Sequence, residues 1–111
     1  MTDLRPPRIL LVEDDPVIRE ATAVGLRRNG FDVETAADGT EGLESFRRQP
    51  PALALLDIML PGLDGVALCR EIRRESQLPI VFLSARSDAV DVVLGLEAGA
   101  DDYVTKPFDP A

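Results

Sequence analysis

Five short strand-length runs, four of them closed by a polar residue, constrain this chain more than any other feature. They are "RILLVED" from Arg8, "FDVETA" from Phe31, "ALALLD" ending at Asp57, "PIVFL" ahead of Ser84 and "DYVTK" ending at Lys106. The first, third and fourth are apolar at nearly every position, as strands buried on both faces are. In the second, Phe31 and Val33 alternate with acids, which predicts an edge strand. Helix-length segments separate the runs. Asp15-Pro16 reads as an N-cap plus first helical residue, with Ile18, Ala21, Gly25 and Leu26 on one face and Gly30 as the stop. A second helix is predicted over 39–48, with Leu43 and Phe46 inward. A third over 65–75 carries Val66, Leu68, Cys69 and Ile72, and a fourth over 88–98 is stopped by Gly99. Strand and helix alternating at this spacing predict an α/β fold. The expected form is a doubly wound parallel sheet with helices on both faces, joined by right-handed crossovers.

The 111 residues suit one domain, expected over 9–111 behind a flexible lead at 1–8. At 45% apolar and 29% charged, the composition is that of a soluble globular protein. A net charge of −8 argues against gripping nucleic acid or an anionic membrane directly. No apolar run is long enough to cross a bilayer and no signal-type segment follows the start, which predicts a cytoplasmic location. The chain has no histidine, so histidine triads, histidine-containing zinc sites and phosphohistidine carried by the chain itself are excluded. The single cysteine, Cys69, reads as a core side chain. Asp109-Pro110 repeats the helix-start signature of Asp15-Pro16 just before the sequence stops. A fifth helix, cut off here, is therefore expected, leaving an apolar strip of sheet uncovered.

The polar residues collect at one rim. Glu13 and Asp14 follow the first strand, Asp57 ends the third, Ser84 follows the fourth and Lys106 the fifth. In open α/β sheets, ligands bind at the carboxyl ends of the strands, near the topological switch point. Converging carboxylates are tolerable when a divalent cation binds between them, and hard oxygen donors with retained waters favour Mg²⁺. Asp15 is assigned to N-capping. Asp57 is the candidate nucleophile, able to carry an acyl phosphate. Lys106 would hold a phosphoryl oxygen as a point charge, Ser84 would donate to another, and Met59 would offer a backbone carbonyl to the metal. Pro61-Gly62 and Asp64-Gly65 read as turn dipeptides that tighten the loop after Asp57. Taken singly, each residue has a bland reading as a turn, cap or solvated group; the shared placement weakens those readings.

Four segments in fixed order, "ILLVEDD", "LLDIMLPGLDG", "PIVFLSAR" and "GADDYVTKPF", make the chain resemble a two-component response regulator receiver domain from about residue 8 to 109. The resemblance implies a flavodoxin-like, five-stranded sheet of order 2-1-3-4-5. It implies Mg²⁺-dependent phosphoryl transfer from a sensor histidine kinase to Asp57. Glu13 and Asp14 correspond to the acid pair, Asp14 and Asp57 to direct metal ligands, and Met59 to the carbonyl ligand. Ser84 and Lys106 correspond to the phosphoryl partners, and Tyr103 to a switch aromatic that turns inward with Ser84. Such a domain is a phosphoacceptor signalling module, not an enzyme, although it assists its own phosphorylation and slow dephosphorylation. "VLGLEAGADDYVTKPF" further resembles the OmpR/PhoB subclass. Its members form homodimers through the fourth helix, fifth strand and fifth helix, and control a C-terminal winged-helix DNA-binding domain. In them the fifth helix supplies basic partners for acids such as Asp101 and Asp102. DNA contact would then require a domain outside these residues, and no membrane partner is implied.

Other functions fit the residues less well. An Mg²⁺-dependent phosphatase with an aspartyl intermediate would want an acid where Met59 stands. A flavin module would want a phosphate cradle after the first strand, where Glu13-Asp14-Asp15 would repel it. A pseudo-receiver that is never phosphorylated is disfavoured because no pocket residue is missing.

Overall fold

The computed structural model describes residues 5–58, 60, 61, 63–84 and 99–105, with the backbone alone at 84 and 103–105. The elements run β1 (Arg8–Val12), α1 (Pro16–Arg28), β2 (Asp32–Ala36), α2 (Gly39–Arg48), β3 (Leu53–Asp57), α3 (Gly65–Glu75), β4 (Ile80–Ser84) and β5 (Asp102–Thr105). The five strands form one parallel sheet in the order β2-β1-β3-β4-β5. The fourth and fifth helices expected from the sequence lie outside the described residues. No described helix is long and apolar enough to cross a membrane.

The two-residue strand period divides the core between the two sheet faces. Leu10 and Val12 of β1, Ala54 and Leu56 of β3, and Ile80 and Phe82 of β4 pack with Phe46 of α2 and Leu68, Cys69 and Ile72 of α3. Ile9, Leu11, Leu55 and Leu83 face the other way, joining Val33 of β2 and Ala23 and Leu26 of α1. The central strands read as unbroken apolar runs because both faces are covered. Burial holds the Cys69 thiol above its ordinary pKa, as befits a core side chain.

Helix boundaries follow the cap chemistry. Asp15 accepts from Val17 N at 2.8 Å and Ile18 N at 3.2 Å with Pro16 in the first turn, as expected from the sequence. Asp38 caps α2 through Glu41 N at 2.8 Å, and Gly30, at φ 91°, follows the end of α1.

Two sequence expectations are corrected. The inward face of α1 is Thr22, Ala23 and Leu26; Ala21 is exposed and Ile18 is 37% exposed. The true stripe, one helical turn at a time, begins at Arg19 and passes through Thr22, so two polar labels concealed it. Asp64-Gly65 is the N-cap and first residue of α3, not a turn: the Asp64 carboxylate accepts from Ala67 N at 2.8 Å. Asp101 is held by Arg73 of α3. Asp101 Oδ2 accepts from Arg73 Nη2 and from Ile80 N, both at 2.8 Å. The same guanidinium donates to Gly99 O at 2.9 Å and Leu78 O at 2.6 Å, tying the end of α3 to the approaches of β4 and β5.

The edge strand β2 is tied down by Glu34. Its carboxylate accepts from Arg8 of β1, from Arg48 of α2 at 2.8 Å and from Ser45 Oγ at 2.9 Å. These donors, Arg8 foremost, lower the Glu34 pKa to about 2.

Candidate functional site

β1 and β3 are adjacent and in register, Val12 opposite Leu56, so Glu13 and Asp14 leave β1 beside Asp57, the last residue of β3. Glu13 N donates to Ala36 O at 3.0 Å, which carries the β1 backbone one residue beyond its last ladder pair. Glu13 and Asp57 are buried, at 2% and 7% exposure, while Asp14 is exposed. Carboxylate oxygens from all three lie within 4.8 Å of one another. At that separation two unit negative charges repel by about 3 kcal/mol for an effective dielectric near 20. The three expected acids are thus brought together, in the crevice between β1 and β3 where the strand order reverses.

The donor set consists of carboxylate oxygens, with neither nitrogen nor sulfur, and it is half open to solvent through Asp14. Among the described residues that chemistry suits a hard divalent cation that keeps part of its water shell, as Mg²⁺ does, better than a softer ion that prefers nitrogen or sulfur.

The loop after Asp57 is packed by backbone approach. Gly65 N donates to Ile58 O at 3.2 Å. A Cβ on Gly65 would lie 2.1 Å from Asp57 O and 2.8 Å from Ile58 Cα, so only glycine lets α3 start against the end of β3. The first residue of α2, Gly39, similarly abuts the Leu63 carbonyl. Ile58 and Leu60 are buried, which anchors the loop from below.

Asp57 pairs with Leu83, and Ser84 with Thr105, so the backbones of Asp57 and Ser84 end neighbouring strands. The Tyr103 backbone lies in β5 opposite Phe82. Met59 and Lys106 lie outside the described residues, and Lys106 follows Thr105, the last residue of β5, directly in sequence.

Two contributors escaped the sequence reading. One is the pair of glycine contacts just described. The other is Arg19 of α1, whose Nη1 donates to Glu13 O at 2.9 Å and Asp14 O at 3.3 Å. Extending the Thr22–Leu26 stripe back by one turn would have pointed to it.

A parallel sheet of order 2-1-3-4-5 with an acidic cluster at its β1/β3 switch point, one that could hold a cation, defines a flavodoxin-like α/β domain. Comparison with known proteins narrows the class. The chain belongs to the response regulator receiver domain family, which matches residues 9–111, and is thus the receiver domain of a two-component response regulator. It is 68% identical over 103 residues to the transcriptional regulatory protein CseB of Streptomyces coelicolor, covering 93% of this chain and 44% of that protein. The chain therefore spans less than half the length of this curated relative. Among solved structures, a putative response regulator from Chloroflexus aurantiacus superposes with a TM-score of 0.90 at 39% identity, over 95% of this chain and 88% of the other. The BeF3-activated N-terminal receiver domain of Klebsiella pneumoniae RstA gives 0.88 at 42% identity, over 93% of this chain and 88% of the other.

Proposed function

We propose that Asp57 is the phosphoacceptor of this receiver domain and that Glu13, Asp14 and Asp57 would hold Mg²⁺, Asp14 and Asp57 as its direct ligands. The observation that carries this reading is the convergence of three carboxylates, two of them buried, within 4.8 Å. Met59 would add its carbonyl as a further ligand. When bound, the cation neutralises phosphoryl oxygens and so lets a carboxylate approach phosphorus.

The chain's own residues do the rest. An Asp57 oxygen attacks the phosphorus of a phosphohistidine on a sensor kinase; the P–O bond forms, the P–N bond breaks, and the histidine nitrogen leaves with its electron pair and takes a proton from solvent. These 111 residues hold no histidine, so the phosphoryl donor lies outside them. Lys106 steadies one phosphoryl oxygen and the Ser84 hydroxyl donates to another. The added charge draws Ser84 and Tyr103 towards the rim and alters the surface around β5. Hydrolysis of the acyl phosphate resets the domain slowly.

In the whole protein this surface would control a DNA-binding output domain of the OmpR/PhoB kind, through a homodimer formed on the same face. The relative's name, transcriptional regulatory protein, supports that reading, as does this domain's own unsuitability for DNA at a net charge of −8. A cytoplasmic location follows from such a role. The test is incubation with acetyl phosphate, with and without Mg²⁺, read by intact mass. Wild type should gain one phosphoryl group only with Mg²⁺, and Asp57→Ala should gain none; equal uptake by both refutes the proposal.

A further inference from the structure

Arg19 sits where its charge and its hydrogen bonds have opposite consequences, and that opposition allows a test. Its guanidinium Nη1 is shared between the main-chain carbonyls of Glu13 and Asp14, at 2.9 and 3.3 Å. Those are the two residues whose side chains, with Asp57, form the acidic cluster. The ends of the turn between β1 and α1 are fixed by Glu13 N on Ala36 O and by the Asp15 cap on Val17 and Ile18. Between these two anchors, Arg19 grips the backbone of the acid pair. Its own Cα is fixed in the first turns of α1, where Arg19 N donates to Asp15 O at 2.9 Å.

We infer that Arg19 is a positioning residue for the cation site, holding the 13–14 backbone so that the Glu13 and Asp14 carboxylates converge on Asp57. The inference rests on the reading of that cluster as a divalent-cation site. Removing a groove-side cation would, by Coulomb attraction alone, tighten the binding of Mg²⁺ to neighbouring carboxylates. Removing a positioning contact should do the reverse, because groups that orient ligands typically contribute about tenfold or more to metal affinity. The sign of the change therefore separates the two roles.

The experiment is calorimetric titration of Mg²⁺ into wild type, Arg19→Gln, Arg19→Lys and Arg28→Gln at one ionic strength, with far-UV circular dichroism of each cation-free protein. Arg28 lies at the opposite end of α1 and controls for loss of one positive charge. Arg19→Gln should bind Mg²⁺ about tenfold more weakly, with Arg19→Lys intermediate and Arg28→Gln close to wild type. Wild-type or tighter binding by Arg19→Gln, or an equal loss in Arg28→Gln, overturns the inference. Should Arg19→Gln fail to fold, Arg19→Lys decides alone: weaker binding supports the role and unchanged binding overturns it. If wild type itself takes up no Mg²⁺, the underlying cation reading has failed; if wild type binds and the Arg19 variants match it, only this inference has.

Discussion

Replacing Gly65 by alanine adds one methyl group at the first residue of α3, and the structure decides the sign of its effect. On helix grounds the change should help. Gly65 is not among the positive-φ glycines, alanine is favoured over glycine by up to about 1 kcal/mol within helices, and the unfolded chain loses freedom. Packing opposes this. The new Cβ would stand 2.1 Å from Asp57 O, more than 1 Å inside ordinary contact, and 3.0 Å from Asp57 C, and both are backbone atoms that cannot rotate away. Either the start of α3 or the end of β3 must move, breaking the Gly65 N to Ile58 O bond. Overpacking of this kind costs about 1–3 kcal/mol, and a lost hydrogen bond adds roughly 1 kcal/mol. We expect a net destabilisation of about 1–3 kcal/mol in urea denaturation, together with weaker Mg²⁺ binding because the displaced atoms belong to Asp57. Gly30→Ala is the control. It also destabilises, since Gly30 has φ 91°, but nothing lies within 4 Å of its Cβ position, so the cation site should be untouched. If Gly65→Ala proved as stable as wild type with unchanged Mg²⁺ affinity, the close-approach reasoning would be refuted.

Two further outcomes follow from the ion pairs. Glu34 has a folded pKa of about 2 against 4.5 for an unperturbed carboxyl, so its contribution is complete above about pH 4.5 and fades as the pH falls towards 2. Because that side chain is 30% exposed, the effect is screened to about 1 kcal/mol, and Glu34→Gln should flatten the acid limb of a stability-against-pH curve by that amount; an unchanged limb rules the network out as its source. Arg73→Met should cost about 2–4 kcal/mol in chemical denaturation, since the Arg73 side chain is 16% exposed and its loss deprives Leu78 O and Gly99 O of this donor and Asp101 of one of its two. A loss under about 0.5 kcal/mol, typical of a surface pair, would show that the clamp is ornamental.

The sequence was legible where its signals are local. Runs such as "LALL" and "IVFL" demand burial on both faces, and Asp15-Pro16 announces the start of α1, so these elements fall where periodicity and the cap put them. The acid cluster was legible because parallel strands deliver their final residues to one rim. What the sequence concealed depends on contacts between distant segments. The partner of Asp101 is 28 residues away at Arg73, and nothing near either residue announces it. Arg19 and Thr22 were passed over because an inward helix face was sought among apolar residues alone, whereas a long cation can lay its stem inward and spend its head on a neighbouring backbone. The Gly65 contact was hidden for a related reason: a turn dipeptide and a capped helix start look alike in sequence, and only the approach of α3 to β3 distinguishes them.

The claim that matters most is that Asp57 accepts the phosphoryl group in an Mg²⁺-holding hollow shared with Glu13 and Asp14. Reductive trapping of the acyl phosphate with borohydride, followed by peptide mapping, locates the modified residue directly. The account predicts a single reduced aspartate at position 57, formed with Mg²⁺ and lost in Asp14→Ala. Modification at another carboxylate, or undiminished modification of Asp57 without a divalent cation, would contradict it.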